Sequence, residues 1–301
     1  MKRFLLFLAI ASFSVPAAAF SVFACEPEWA ALAKELGGDK VSVTSATTAR
    51  QDPHHIEARP SLIARMRGAD LVVCSGSQLE IGWLPLLLSQ SGNARVQPGT
   101  PGYLEAFRLV TRLEVPSSVD RSMGDVHPGG NPHIHTDPRN IAKVATVLAE
   151  RLAQLDAPNA ASYRSGAEAF GKRWQEAVAR WEREAAPLKG ATLVEHHKDF
   201  TYLIAWLGLR EVGNLEPLPG IPPTPAHLAE LVEQMKREPA KVIIYSSYND
   251  PRAAEFLSQR TGIAKVMLPF TVGGSDRAKD LFGYFDDLVA RLLGAARGSA
   301  R

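Results

Sequence analysis

Short apolar runs alternate with amphipathic stretches along most of the chain. Val22–Cys25, Val41–Ser45, Leu71–Cys74, Ala191–Glu195, Val242–Tyr245 and Val266–Leu268 each read as a buried strand bounded by turn formers or helix starts. Between them, Trp29–Leu36 reads as a helix stopped by Gly37-Gly38, Ser61–Met66 as a second, and the segment opening at Thr224-Pro225 as a third. Strand–helix alternation of this kind predicts α/β architecture with parallel sheets. The middle of the chain breaks the pattern. Asn140–Leu155 reads as a helix, and from Tyr163 the residues Ala167, Phe170, Trp174, Val178, Trp181 and Ala185 recur at steps of three and four, one face of a long helix ended by Pro187 and Gly190. Two α/β lobes joined by a helical spacer follow. Residues 20–157 form the first lobe, 158–187 the linking helix and 188–301 the second lobe. Glu114–Gly130 fits neither class. It has no apolar period and is rich in turn formers, which suits a functional or mobile loop.

The N-terminus adds a compartment. Lys2 and Arg3 precede an apolar run from Phe4 to Val15 and the small residues Ala17-Ala18-Ala19, the layout of a secretory leader over residues 1–19. The run is too short to span a bilayer, which takes roughly 20 apolar residues. Removing the leader takes away two cations and no acid, so the formal charge of +2 falls to zero with 32 residues of each sign. Near-neutrality gives no reason to expect nucleic acid. Export changes how the two cysteines read. Cys25 and Cys74 each end a strand run, and in an oxidising compartment they meet as a disulfide if those strands are neighbours. Two buried thiols, or a lipid-anchored Cys25, are the other readings.

The histidines are ordinary in number but not in placement. Seven of eight lie in three places: His54 with His55, then His127, His133 and His135, then His196 with His197; His227 stands apart on the exposed face of a helix. The first and third groups follow strands, where open α/β sheets bind ligands, and the second precedes a helix start at Thr136-Asp137-Pro138. Neutral imidazoles brought together from separate segments are a zinc donor set, and with the cysteines committed a carboxylate is expected as the fourth ligand. H-E-x-x-H is absent, which argues against a metalloprotease.

Asp52-Pro53-His54, Asn131-Pro132-His133 with Asp137-Pro138-Arg139-Asn140, and His197-Lys198-Asp199-Phe200-Thr201-Tyr202 followed by Leu207-Gly208-Leu209 occur in order, with Pro222-Pro223-Thr224-Pro225 beyond them. The set resembles the three metal-binding motifs of the solute-binding proteins of metal ABC importers, the cluster A-I zinc and manganese family. The resemblance implies two Rossmann-like lobes with small parallel four-stranded sheets joined by one long rigid helix, with the metal in the cleft. It implies His54, His133 and His197 as ligands and an acid after the last strand as the fourth, here Asp276, with Asp280 second. His197 in place of a carboxylate favours Zn²⁺ over Mn²⁺. The implied function is periplasmic zinc capture by a monomer that docks on a membrane permease. Asp125 and His127 in the Glu114–Gly130 loop are candidates for metal acquisition, including receipt of zinc from a periplasmic metallochaperone; a plain solvated linker is the other reading. The rival classes are an exported zinc hydrolase, for which Glu57 or Glu195 would serve as base, and a manganese-binding or adhesin-like member of the same fold.

Overall fold

The structure is a computed structural model that describes residues 19–120 and 123–298. The expected leader lies outside these residues except for Ala19. Two parallel four-stranded sheets organise the described chain. The first contains β1 (Phe20–Ala24), β2 (Val41–Ser45), β3 (Leu71–Cys74) and β4 (Tyr103–Glu105) in the order β2-β1-β3-β4, with α1 (Pro27–Gly37), α2 (Pro60–Arg67) and α3 (Leu84–Ser91) in the connections. Two helices follow, α4 (Pro138–Leu155) and α5 (Ala160–Ala185). The second sheet contains β5 (Thr192–Glu195), then α6 (Thr201–Leu207), β6 (Arg210–Asn214), α7 (Pro225–Arg237), β7 (Val242–Ser246), α8 (Arg252–Thr261) and β8 (Lys265–Leu268), in the strand order β6-β5-β7-β8. The helix α9 (Leu281–Gly298) comes last.

All six strands expected from apolar runs are present, within a residue or two at their ends. The two that the pattern missed, β4 and β6, are edge strands. Tyr103–Glu105 has three residues and Arg210–Asn214 is exposed or half-buried throughout, so neither carries the apolar run that marks an interior strand. β1 pairs in parallel with both β2 and β3, which brings Cys25 beside Cys74, and the two are disulfide-bonded. With both sulfurs committed to the bridge, Cys25 has no thiol for a lipid.

The long helix α5 buries Tyr163, Phe170, Trp174, Ala177, Trp181 and Ala185 on one face. The Trp174 indole N–H donates to Pro138 O at the start of α4, and the Trp181 indole N–H donates to Asp286 Oδ1 on α9. Gly166 sits so close to α1 that a Cβ there would meet Leu36 O at 2.5 Å. The helix is thereby fastened to both lobes, and one continuous apolar cluster runs from Val22 and Leu71 through α4 and α5 to Leu193, Phe285 and Leu292. The lobes share a core rather than meeting across a loose hinge.

Candidate metal centre

Three loops at the carboxyl ends of the strands, or just before a helix, deliver three imidazoles to one place. His54 follows β2. Asp52 Oδ1 accepts from both the backbone N–H of His54 (2.9 Å) and its ring Nδ1 (2.7 Å), so one carboxylate sets the turn and the ring direction together. Burial pushes the Asp52 carboxyl up, but these hydrogen bonds from His54 outweigh it and hold the group down at about 2. The Trp83 indole N–H fixes the same turn through Pro53 O at 2.8 Å.

His133 sits on the Asn131-Pro132 turn. Asn131 Oδ1 accepts from the His133 backbone N–H, while its amide nitrogen donates to Lys198 O and Thr201 Oγ1 in the second lobe. This ligand loop is therefore positioned by both lobes. The helix start just beyond it is capped by Asp137, whose carboxylate accepts from Arg139 N, with Pro138 in the first turn. His133 is 1% exposed and neither ring nitrogen has a hydrogen-bond partner among the described residues. Burial, then the neighbouring imidazoles, hold its pKa well below the usual histidine value, leaving neutral lone pairs.

His197 follows β5, and its Nδ1 donates to Glu216 Oε2 at 2.7 Å. Burial alone would lower the pKa of this ring, but the Glu216 hydrogen bond and the Asp199 and Glu216 charges raise it to about 9. The ring centroids of His54, His133 and His197 lie 5.4, 5.4 and 5.7 Å apart. All three side chains are buried, with ring nitrogens within 4.8 Å of one another. Two of the rings hold Nδ1 against a carboxylate and so turn Nε2 inward, the arrangement that fixes the tautomer of metal-ligating histidines.

His127, from the 114–130 loop, reaches one member of the cluster, His54. Its Nε2 lies 3.1 Å from His54 Nε2 and its Nδ1 lies 2.9 Å from Ser77 O. Asp125 stands further out, 3.6 Å from the exposed His55. A cavity of about 310 Å³ beside the cluster is lined by Met123, Asp125, His127, His133, His197 and Lys198, among others.

Asp276 does not join the histidines. After β8 the chain buries Thr271, whose hydroxyl donates to Glu28 Oε2 at 2.5 Å. The next residues close on themselves: Gly273 N–H donates to Ala278 O, and Ser275 Oγ donates to Asp287 Oδ2 on α9. The paired glycines turn the loop towards α9, leaving Asp276 exposed in a separate surface cavity with Lys279 and Asp286. Asp280 is exposed too and accepts from Gly283 N–H, capping the first turn of α9. The carboxylate beside His133 is instead Asp199, with Oδ1 3.7 Å from His133 Nε2 and both oxygens accepting hydroxyls, from Tyr248 and Ser246.

The neighbouring histidines have other work. His135 is buried between the lobes, with Nε2 donating to Phe270 O and Nδ1 3.2 Å from Glu28 Oε1. His196 is buried 3.9 Å from Glu216. His227 is half-buried rather than on an open face, its ring bonded to Asn214 O. Glu57 is exposed, and Glu195 is buried with Oε2 accepting from Phe200 N–H; neither belongs to the histidine group. Glu216 and Ser77 were not legible as site residues, because β6 was not recognised and a serine carbonyl leaves no trace in composition. Asp52, two residues before His54, carried a readable signal: an Asp-x-His spacing from which one carboxylate reaches both the backbone and the ring.

Comparison with known proteins identifies the family and the fold. The family described as zinc-uptake complex component A, periplasmic (ZnuA) matches residues 22–295. The zinc-binding lipoprotein AdcA of Streptococcus pneumoniae strain R6 is 23% identical over 235 residues, 78% of this chain and 46% of AdcA. The chain thus spans about half the length of AdcA. The high-affinity zinc uptake system protein ZnuA of Bacillus subtilis is 22% identical over 264 residues, covering 86% of this chain and 81% of that one. The manganese-binding lipoprotein MntA of Halalkalibacterium halodurans is 24% identical over 206 residues. Among solved structures, a crystal structure of ZnuA superposes with a TM-score of 0.77 at 19% identity, covering 92% of this chain and 99% of that one, which establishes the shared fold.

Proposed function

The chain belongs to the ZnuA family of periplasmic zinc-uptake components, and from that premise we propose that it captures zinc outside the cytoplasm and hands it to an ABC-type import permease. The observation that carries the reading is the convergence of His54, His133 and His197, buried, from loops of both lobes. Three imidazoles suit Zn²⁺ at Zn–N distances of about 2.0–2.1 Å. Mn²⁺ prefers oxygen donors, and a manganese-binding relative alone does not outweigh this donor set. The protein is a carrier rather than a catalyst. It needs the ion held and later released, with no base to activate a bound water, and neither Glu57 nor Glu195 is placed to be one.

Export by cleavage of a leader near Ala19, action as a monomer and a hand-off from a metallochaperone at Asp125 and His127 complete the reading. Asp125→Ala, which leaves every histidine in place, is expected to slow protein-to-protein transfer while sparing direct zinc binding. The main test is competition of the purified chain with a chromogenic chelator. His54→Ala, His133→Ala and His197→Ala should each weaken zinc binding by more than the roughly 10–100-fold typical of losing an outer partner. Wild-type affinity surviving the loss of two of the three would overturn the site.

A further inference from the structure

We infer that His127 is the fourth metal ligand, so that the site is built of four imidazoles with no coordinating carboxylate. The inference rests on the reading of the histidine cluster as the zinc site and adds the group that completes it.

The first argument is geometric. In a tetrahedral site with Zn–N bonds of about 2.0–2.1 Å, adjacent ligand nitrogens stand about 3.3 Å apart. His127 Nε2 stands near that spacing from His54 Nε2, at 3.1 Å with the ring centroids 5.2 Å apart, while among the described residues the mutual 4.8 Å cluster holds only His54, His133 and His197, so ion binding has to draw the His127 ring closer to the other two. The second argument concerns protons. The partner of His127 Nδ1 is the Ser77 carbonyl oxygen, which only accepts, so Nδ1 carries the hydrogen and Nε2 is bare. The partner of His54 Nδ1 is the Asp52 carboxylate, which leaves His54 Nε2 bare in the same way. Two lone pairs then face each other at 3.1 Å, an arrangement that repels unless a cation lies between them.

The third argument is that His127 is held in place by dedicated contacts. Ser77 has φ +53° and Gln78 φ +66°, left-handed backbone that non-glycine residues seldom adopt, and the carbonyl of this turn faces His127. The Ser77 hydroxyl donates to Gly130 O, and Gly130 N–H donates to His127 O, so one residue secures both ends of the 127–130 turn. A Cβ on Gly129 would meet Ser77 Oγ at 2.8 Å, and one on Gly130, at φ +112°, would meet Leu113 O at 2.6 Å. On the other side, Asp125 N–H donates to Pro219 O in the second lobe. The segment 123–130 therefore bridges both lobes with the imidazole turned inward. The competing carboxylates are less well placed: Asp276 is exposed elsewhere, and Asp199 already accepts two hydroxyls.

The test uses the full chain, metal-free and then loaded with Zn²⁺ or with Co²⁺ as a spectroscopic probe. Wild type should give the intense visible absorption of four-coordinate Co²⁺, and X-ray absorption of the zinc form should fit four imidazoles. In His127→Ala and His127→Gln the fit should fall to three imidazoles plus an oxygen, with weaker zinc binding and faster release to a chelator. Gly130→Ala, which keeps the imidazole but disturbs its turn, should produce a smaller loss in the same direction. If wild type binds zinc tightly and both His127 variants keep its affinity and coordination, His127 is not a ligand, and the 3.1 Å contact is a proton shared between two rings. If wild type itself binds no zinc, the failure belongs to the functional reading instead.

Discussion

Except at His133, whose ring nitrogens have no hydrogen-bond partner among the described residues, each inward-facing ring nitrogen depends on what its other nitrogen touches. His54 leans on Asp52, His197 on Glu216 and His127 on Ser77 O. Replacing Asp52 or Glu216 by alanine leaves every ligand present, yet each should weaken zinc binding roughly 10–100-fold, measured by chelator competition. The Glu216 contact also sets a pH dependence. In the metal-free protein the His197 pKa is raised to about 9, above the roughly 6.5 of an unfolded histidine. Its contribution to stability is therefore complete below pH 6.5 and is lost as pH rises through about 9. Zinc must displace that proton, so affinity should climb with pH up to the same value and then level off. A proton-detected titration of His197, with Glu216→Gln bringing the midpoint down, checks both statements; a midpoint unchanged by the substitution would contradict them.

The strands and helices show which elements the pattern of apolar residues could reveal. Interior strands such as Leu71–Cys74, buried at every position, stand out as apolar runs, whereas the edge strand Arg210–Asn214 does not, because one side of it has no neighbour to bury against. That omission hid Glu216, which lies just beyond β6. The parallel pairing of β1 with β3 is what makes the Cys25–Cys74 bridge, with Cα atoms 4.8 Å apart and 49 residues between them in sequence. Closing a loop of that size commonly stabilises by about 2–4 kcal/mol. Cys25→Ser with Cys74→Ser should lower the unfolding free energy by that order in denaturant titration. Next to the bridge, Glu80 is buried and its carboxyl is pushed up to about 7 by desolvation. A carboxyl raised above its unfolded value favours the folded state below about pH 4.5 and loses that contribution as pH rises through about 7. Melting of the metal-free chain should fall across that window, and Glu80→Gln should flatten the fall.

Over the whole molecule, α5 decides how the lobes relate. Its buried face touches α4 through Trp174 and α9 through Trp181, within an apolar cluster continuous across both lobes. Opening the lobes as rigid halves would tear that core, so metal-free and loaded forms should share one overall shape by small-angle scattering. Trp174→Ala, which removes a fully buried indole, should cost about 3–5 kcal/mol of stability. Changes on loading are expected in the ligand loops, above all in the segment carrying His127.

The sequence alone determined the α/β alternation, the long helix with its one apolar face and the three histidine groups, because each is a local pattern of residue types at fixed spacing. It also singled out His54, His133 and His197, the three that the structure brings together. Tertiary structure decided what stands around them. Asp276 is one short loop beyond the last strand, yet the buried Thr271 and the Gly273–Ala278 turn carry it away. His127 sits in a stretch with no periodicity at all, and two left-handed residues some fifty positions earlier turn it inward. The directions of His197 and His127 are fixed by hydrogen bonds on the far side of each ring, to Glu216 and to Ser77 O, and those partners are 19 and 50 residues away in the chain, so only folding brings them near.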